Sequence, residues 1–423
     1  MQFNDNVSIE NKRALLIGVY FRPQEKMKLE GYLGELKALL LNLEIESAEQ
    51  VYVPLKNIHR ATYIGTGKME ELFKLIQEKK IDLVVFDDEI LPSQQRNLEK
   101  VLKVPIVDRT EVILEVFANR AKTKEAKLQV ELAKSQYELP RLKRMWTHLS
   151  RQVSGGKYLK GAGEKQLEID KRLVKKRIAQ LRREIEEIER SRNLQRQRRI
   201  KSQIPTFAIV GYTNAGKSTL FNCLTTANVL SEDRLFATLD TTTRKMTLPS
   251  GFEVLLIDTV GFIRKIPTML VASFKSTLEE AIKADFLIHV MDLSDPMSQE
   301  HADQTLQVLK ELGAQNIPTI TVFNKVDNVF DPSLLQQLRL TYTKTCQVSA
   351  LKKEGLDQLF ELIEQEVKTL RKELFLKIPQ RDYGLVCELI ESSKVFSQEY
   401  SDGSISLHVE VPIILAKRLE KYT

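Results

Sequence analysis

Short runs of apolar residues alternate with amphipathic stretches over the first part of the chain. Residues 14–19, 83–86 and 105–107 are almost continuously apolar and short enough to be buried strands, and the spacing of apolar positions in 27–43, 69–77 and 94–102 predicts helices between them. Asp108 or Thr110 is placed to cap a further helix. This is the pattern of a small α/β domain, assigned to residues 1–122.

From 123 to 203 the period becomes helical. Val174, Ile178, Leu181, Ile185 and Ile188 step by four and three, the spacing of an a/d seam, and Leu142, Met145 and Leu149 offer a facing stripe. Between the two stripes, Ser154, Gly155 and Gly156 and then Gly161, Ala162 and Gly163 interrupt the period, so a helical hairpin with a glycine-rich tip is expected. An apolar seam is packing. Binding chemistry in this region belongs to the polar faces and the tip.

Pro205 opens a different arrangement. Residues 206–210 form a compact apolar strand that runs into a glycine loop, and further strands are predicted at 254–257, 286–291, 320–323 and 346–348, with helical lengths such as 276–283 and 298–312 between them. That order predicts a mostly parallel sheet covered by helices over 204–372. Residues 373–423 read as a small α+β domain: 395–400 and the alternation Ile405, Leu407, Val409, Val411 flank a turn at 401–404, and Pro412 can open a last helix. The fold class is therefore α/β, with a parallel-rich sheet domain preceded by a smaller α/β domain and a long helical hairpin.

Composition agrees with several globular domains: 423 residues, 42% hydrophobic and 29% charged. No stretch approaches the ~18 apolar residues of a spanning helix, and the first ten residues lack a secretory pattern. Cys223, Cys346 and Cys387 are too far apart for a metal-ligand motif and suit a reducing cytoplasm. Charge is more informative than composition. Residues 141–201 hold 20 Lys+Arg against 7 Asp+Glu, a local +13 within a chain whose net charge is only +7. Such segregation favours a polyanionic partner, the alternative being a solvated helix pair.

The chemistry lies in the glycine loop. Gly211, Tyr212, Thr213, Asn214, Ala215, Gly216, Lys217 and Ser218 fit GxxxxGK[ST] between a predicted strand and helix. The glycines let backbone N–H groups converge on phosphate oxygens at the helix N-terminus, followed by Thr219; Lys217 would reach the β- and γ-phosphates and Ser218 would ligate Mg²⁺. Asp258, Thr259, Val260 and Gly261 follow the strand at 254–257, so Asp258 can hold Mg²⁺ through water and the Gly261 N–H can sense the γ-phosphate. Asn324, Lys325, Val326 and Asp327 end another strand. A carboxylate there can accept from both N1–H and the exocyclic amine of guanine, a donor pair adenine lacks. Ser349 and Ala350, followed by Leu351, are positioned to offer a backbone N–H to the guanine O6. Together these elements, each at the carboxyl end of a predicted strand, point to a guanine-nucleotide hydrolase using GTP and Mg²⁺, with GDP as product. A Mg²⁺-sensing threonine is sought in 236–243. Phe262 follows Gly261 where many regulatory GTPases carry a water-orienting glutamine, so hydrolysis is expected to be slow alone and to depend on a partner. Arg264 is either an electrostatic helper or an exposed structural arginine.

These residues resemble one family, the HflX GTPases. The resemblance rests on Tyr63, Ile64, Gly65, Thr66, Gly67 and Lys68, on Asp108, Arg109, Thr110 and Glu111, on 128–133 and 139–142, and on 235–240 and 258–264. It covers about 13–371. The resemblance implies a GTPase that binds the large ribosomal subunit, splits or rescues stalled ribosomes under stress, and leaves after hydrolysis; the tip between the long helices would approach the peptidyl-transferase region. It singles out Thr238, within Phe236, Ala237, Thr238, Leu239 and Asp240, as the Mg²⁺-sensing threonine. Lys217, Thr238 and Gly261 are then the catalytic set, and Ser218, Thr238 and Asp258 the metal set. The tip departs from the family's usual GGIGTRGPGET: four glycines and Glu164 remain in 155–165 while basic character rises, and Thr241 replaces the usual proline. The expected partner is the large subunit and its RNA, met by the basic hairpin of a cytoplasmic, monomeric protein. Two other readings stay open: an RNA-binding scaffold with a structural nucleotide site, and an RNA-remodelling enzyme that also uses ATP at Gly65, Thr66, Gly67 and Lys68.

Overall fold

A computed structural model of the chain describes residues 12–142, 160–201, 204–225, 235–236, 241–267, 282–328, 331–401 and 403–423. Strands β1 (Arg13–Tyr20), β2 (Glu46–Pro54), β3 (Leu83–Phe86) and β4 (Ile106–Asp108) form a parallel sheet in the order β2-β1-β3-β4. Helices α1 (Glu25–Leu41), α2 (Thr66–Lys79) and α3 (Pro92–Leu102) connect them. β2 escapes the apolar-run pattern because it is an edge strand, ESAEQVYVP, with mostly half-buried positions. One face of the sheet packs Leu15, Ile17, Val84 and Phe86 against Met69, Leu72 and Leu98. The opposite face packs against α1 through Leu33, Leu36 and Leu40, and that cluster continues without a break into Ala208, Val210 and Leu287 of the next sheet and into Phe262 and Leu309 beside it. The two sheets therefore share one core.

Helix α4 (Arg109–Arg120) is capped by Asp108, whose carboxylate accepts from the Glu111 N–H at 2.9 Å. Thr123 caps α5 (Lys124–Glu138) in the same way. Helix α6 (Lys160–Lys201) has 42 residues, and its seam of Val174, Ile178, Leu181, Ile185 and Ile188 is packed as the spacing predicts. Leu128, Leu132 and Leu139 meet this seam. Leu142 is buried outside this cluster, and Met145 and Leu149 lie outside the described residues. Arg177 fixes the pairing through two hydrogen bonds to Glu131, at 2.7 and 2.8 Å. Gly161 and Gly163 also differ from expectation, since both lie within α6. A single glycine costs a helix only ~1 kcal/mol, and here each is flanked by good helix formers. Residues 154–156 of the expected tip lie outside the described residues.

The second sheet contains β5 (Thr206–Gly211), β6 (Thr242–Thr247), β7 (Glu253–Asp258), β8 (Phe286–Asp292), β9 (Thr319–Asn324) and β10 (Thr345–Val348), in the order β10-β9-β8-β5-β7-β6. All pairs are parallel except β6 with β7, as the sequence order predicts for a parallel-rich sheet. Helices α7 (Lys217–Thr225), α8 (Ser298–Glu311), α9 (Pro332–Thr341) and α10 (Leu356–Thr369) accompany it. β5, β7, β8, β9 and β10 all end at one edge, where an open α/β sheet places its site. The last sheet is antiparallel, in the order β11-β13-β12, from β11 (Arg371–Pro379), β12 (Lys394–Ser401) and β13 (Ser404–Pro412). Its first strand begins at Arg371, before the expected boundary, and Pro412 precedes the last helix, α12 (Ile413–Leu419), which follows α11 (Tyr383–Ser392). No helix among the described residues is long and apolar enough to cross a membrane.

Candidate functional site

The loop between β5 and α7 is shaped by two glycines that no other residue could replace. Gly211 has φ +150°, and a Cβ there would lie 2.3 Å from the Val290 carbonyl oxygen; at Gly216, φ +92°, it would lie 2.2 Å from Asn324 Nδ2. Asn214 takes the left-handed conformation that asparagine tolerates, φ +61°. The loop thereby turns the start of α7 toward the strand ends, leaving its N–H groups at a helix N-terminus.

Lys217 is 6% exposed, and its ammonium donates to the Tyr212 carbonyl at 2.6 Å. Burial lowers its pKa to about 8, against the opposing pull of Asp258. The next residue, Ser218, donates its hydroxyl to Asp258 Oδ2 at 2.9 Å. Asp258 is fully buried at the end of β7, and Thr259 behind it donates to the Ile209 carbonyl at 2.6 Å. Gly261 touches the glycine loop so closely that a Cβ would meet Thr213 Cγ2 at 2.8 Å and Lys217 Nζ at 2.9 Å. Phe262 is 2% exposed, its N–H donating to the Gly211 carbonyl while its own carbonyl accepts from Thr213 N–H.

At the other end, Asn324 is a brace: Nδ2 donates to the Ala215 carbonyl at 2.8 Å and Oδ1 accepts from the Ala350 N–H at 3.0 Å. Lys325 pairs with Asp292 at 2.7 Å. Asp327 accepts from the Ser349 hydroxyl at 2.7 Å, and that bond holds its carboxyl below the usual range. Val326 packs into the cluster around Phe323 and Leu338. Thr219 is half-buried on α7 and Leu351 is exposed. The structure thus gathers the glycine loop, Asp258 to Gly261, Asn324 to Asp327 and Ser349 to Ala350 at one edge of one sheet.

Phe236 differs. Its ring is 2% exposed and packs edge-on against Phe117 of α4, with centroids 4.4 Å apart, so the side chain belongs to the shared core. Ala237 and Thr238 lie outside the described residues. Arg264 is not a surface arginine: it is 6% exposed and binds Asp87 through Nη2, at 2.7 and 2.5 Å. Gly65 simply precedes α2, and Lys68 pairs with Glu71 one turn on.

No sequence motif points to Glu35 or Asp87, yet both reach the site. Arg109 binds Asp87 at 3.0 Å and Glu35 at 2.5 Å, and Glu35 accepts from the Tyr212 hydroxyl at 2.9 Å. Burial opposes the charge on Arg109, but the two carboxylates outweigh it and raise its pKa. His289, 1% exposed on β8, is held neutral: burial, and the charge of Lys217, lower its pKa to about 4. For Asp87 the signal in the sequence is position, at the end of an apolar strand, whereas Arg109 stands in the Asp108 to Glu111 motif that carries the family resemblance.

Three family profiles match the chain in order. They are described as GTP-binding GTPase N-terminal, over 30–118, GTP-binding GTPase Middle Region, over 120–199, and 50S ribosome-binding GTPase, over 206–325. Relatives called GTPase HflX align over nearly the whole chain. That of Chlamydia pneumoniae is 43% identical over 97% of this chain and 88% of its own. That of Caldanaerobacter subterraneus subsp. tengcongensis is 44% identical over 99% and 95%, and that of Escherichia coli is 39% identical over 97% and 96%.

Proposed function

This chain belongs to the GTPase HflX family and is a GTP-hydrolysing enzyme, and from that premise we propose that its nucleotide state governs attachment to the large ribosomal subunit and that it splits or rescues stalled ribosomes under stress. The convergence of Lys217, the Ser218 and Asp258 pair, Gly261 and the Asp327 and Ser349 pair on one sheet edge carries the nucleotide part of this reading. The β- and γ-phosphates take the place now held by the Tyr212 carbonyl at Lys217, with the N–H groups of 212–219 around them. Guanine is read by Asp327, while Ser349, Ala350 and Leu351 supply backbone on its O6 side and Lys325 and Val326 support it. The two oxygen donors 2.9 Å apart, Ser218 Oγ and Asp258 Oδ2, suit a hard cation that keeps most of its waters, so Mg²⁺ fits this donor set. Bound there with Thr238, it would neutralise developing phosphate charge.

The ribosome part is supported by the profile over 206–325 and by the basic surplus of 141–201. We divide the chain accordingly into an N-terminal α/β domain at 1–122, a basic helical hairpin at 123–203 that meets RNA, a GTPase domain at 204–372 and a small C-terminal α+β domain at 373–423. Phe262 is buried among core residues and carries no group that could orient water, so hydrolysis is slow until the partner orders the site. The test is GTP turnover with and without purified large subunits, with Lys217→Ala as the blank. Stimulation of tenfold or more supports the proposal. Tight GTP binding with an unchanged rate would instead support an RNA-binding scaffold, and ATP turnover surviving Lys217→Ala would support a second nucleotide site.

A further inference from the structure

Arg264 stands three residues beyond Gly261, and its N–H, its carbonyl and its Nη2 are all held by residues far away in sequence. Its N–H donates to the Tyr212 hydroxyl at 2.8 Å, and its carbonyl accepts from Arg109 Nε at 3.2 Å. Its guanidinium binds Asp87 and lies over the Tyr32 ring, 3.8 Å from the centroid. Tyr212 in turn belongs to the glycine loop, donates to Glu35, and stacks on His301 with centroids 3.8 Å apart and planes 6° from parallel. Arg109 completes the circuit by binding both Glu35 and Asp87. Asp87, Arg109, Tyr212 and Arg264 are all buried.

This is expensive chemistry to place where apolar packing would serve. Four charged groups and a phenol are withdrawn from water, and such a network is retained when it fixes one arrangement against others. What it fixes is narrow: the backbone just after Gly261, on both its N–H and its C=O side, relative to the loop that holds the phosphates. Phe262 cannot steer water, so hydrolysis depends on how accurately the backbone of this segment is presented.

We propose that Glu35, Asp87 and Arg109 are positioning residues for GTP hydrolysis, acting through Tyr212 and Arg264 to hold the segment after Gly261 against the phosphate loop. The inference rests on the assignment of these two loops to the phosphates made above. It adds that the N-terminal sheet domain is part of the machinery of turnover and is more than an attachment to it.

Tyr212→Phe is the informative variant, because it removes one hydroxyl and keeps the ring on His301. It should lower kcat for GTP by about tenfold, leaving KM and GDP affinity within about twofold, as expected when a contact matters to the transition state and little to binding. Arg109→Lys keeps the charge and loses the bond to the Arg264 carbonyl; it should also lower kcat, and the double variant should lose less than the product of the two. Glu35→Gln retains an oxygen that accepts from Tyr212, so it should keep more activity than Glu35→Ala. Thermal melting confirms that each variant folds. A folded Tyr212→Phe protein whose kcat matches the parent, or exceeds it, overturns the proposal, as does independent additivity of the two single changes. Loss of nucleotide affinity in Lys217→Ala is a separate result: its absence would overturn the loop assignment itself.

Discussion

Asn324 and Ala215 are joined by a hydrogen bond across 109 positions of sequence, from the side-chain amide of one to the carbonyl of the other. The oxygen of the same side-chain amide accepts from the Ala350 N–H, so one side chain sets the distance between the phosphate loop and the loop facing the base. Asn324→Ala would leave a buried carbonyl and a buried N–H without it, at ~1–3 kcal/mol each. We expect a lowered Tm together with GDP binding weakened by at least about tenfold. An unchanged affinity in titration calorimetry would mean that the loops are held by other contacts.

Guanine selection should reside in Asp327. An amide in its place keeps an acceptor for the Ser349 hydroxyl but replaces one carboxylate oxygen with a donor, which opposes the exocyclic amine of guanine. Asp327→Asn should therefore weaken GTP binding by about 10²-fold or more and favour a base carrying oxygen at that position, as in xanthosine triphosphate. Competition between the two nucleotides for the variant measures this; retained preference for GTP would place base reading elsewhere.

Lys217 gives a pH signature. Its folded pKa is about 8 against an ordinary 10.5. Below about 8 the lysine is protonated in both states, and the cost of burying the charge is fully felt. Between about 8 and 10.5 the unfolded chain holds a proton that the folded, nucleotide-free protein lacks, so stability rises with pH through that window, by an amount on the order of 3 kcal/mol. Phosphates beside the ammonium favour its charged form, so nucleotide binding at pH 9 should take up a proton. Calorimetry of GDP binding in two buffers of different ionisation enthalpy decides this: identical apparent enthalpies would count against it.

The α5 and α6 pairing depends on Leu181, which is fully buried. Leu181→Ala should cost ~2–5 kcal/mol by removing contacts and leaving a cavity. Leu173 on the same helix is 57% exposed, and Leu173→Ala should stay within ~0.5 kcal/mol. Circular-dichroism melts of the two variants provide the comparison, and equal losses would be inconsistent with the seam described.

Much of this arrangement was legible because its determinants are local. The apolar runs of β1, β3 and β5, the helix cap at Asp108, the 4-3 steps of α6 and the glycine loop are each written in a few adjacent residues. The edge strands β2 and β6 were not, since TTRKMT and ESAEQVYVP lack the apolar run of a buried strand. Leu128 and Leu132, which meet the seam of α6, were not singled out because Leu142 offers equivalent apolar spacing, while Met145 and Leu149 of the expected stripe lie outside the described residues. Arg264 was open between two roles for a related reason: a buried ion pair needs a partner, and Asp87 is 177 positions away. Phe236 shows the limit from the other side. Its sequence neighbourhood suggests the nucleotide, while its ring lies against Phe117.

Helix α6 is also a lever arm. At 1.5 Å per residue its 42 residues span ~63 Å, and ~20 Å of that lies between Val174, where the seam begins, and Lys160. A tilt of about 5° at the end nearest β5 would carry the far end through ~5 Å, the scale of one helical turn. Small reorientations of α6 at its β5 end can thus become large displacements at Lys160, with no joint needed in between.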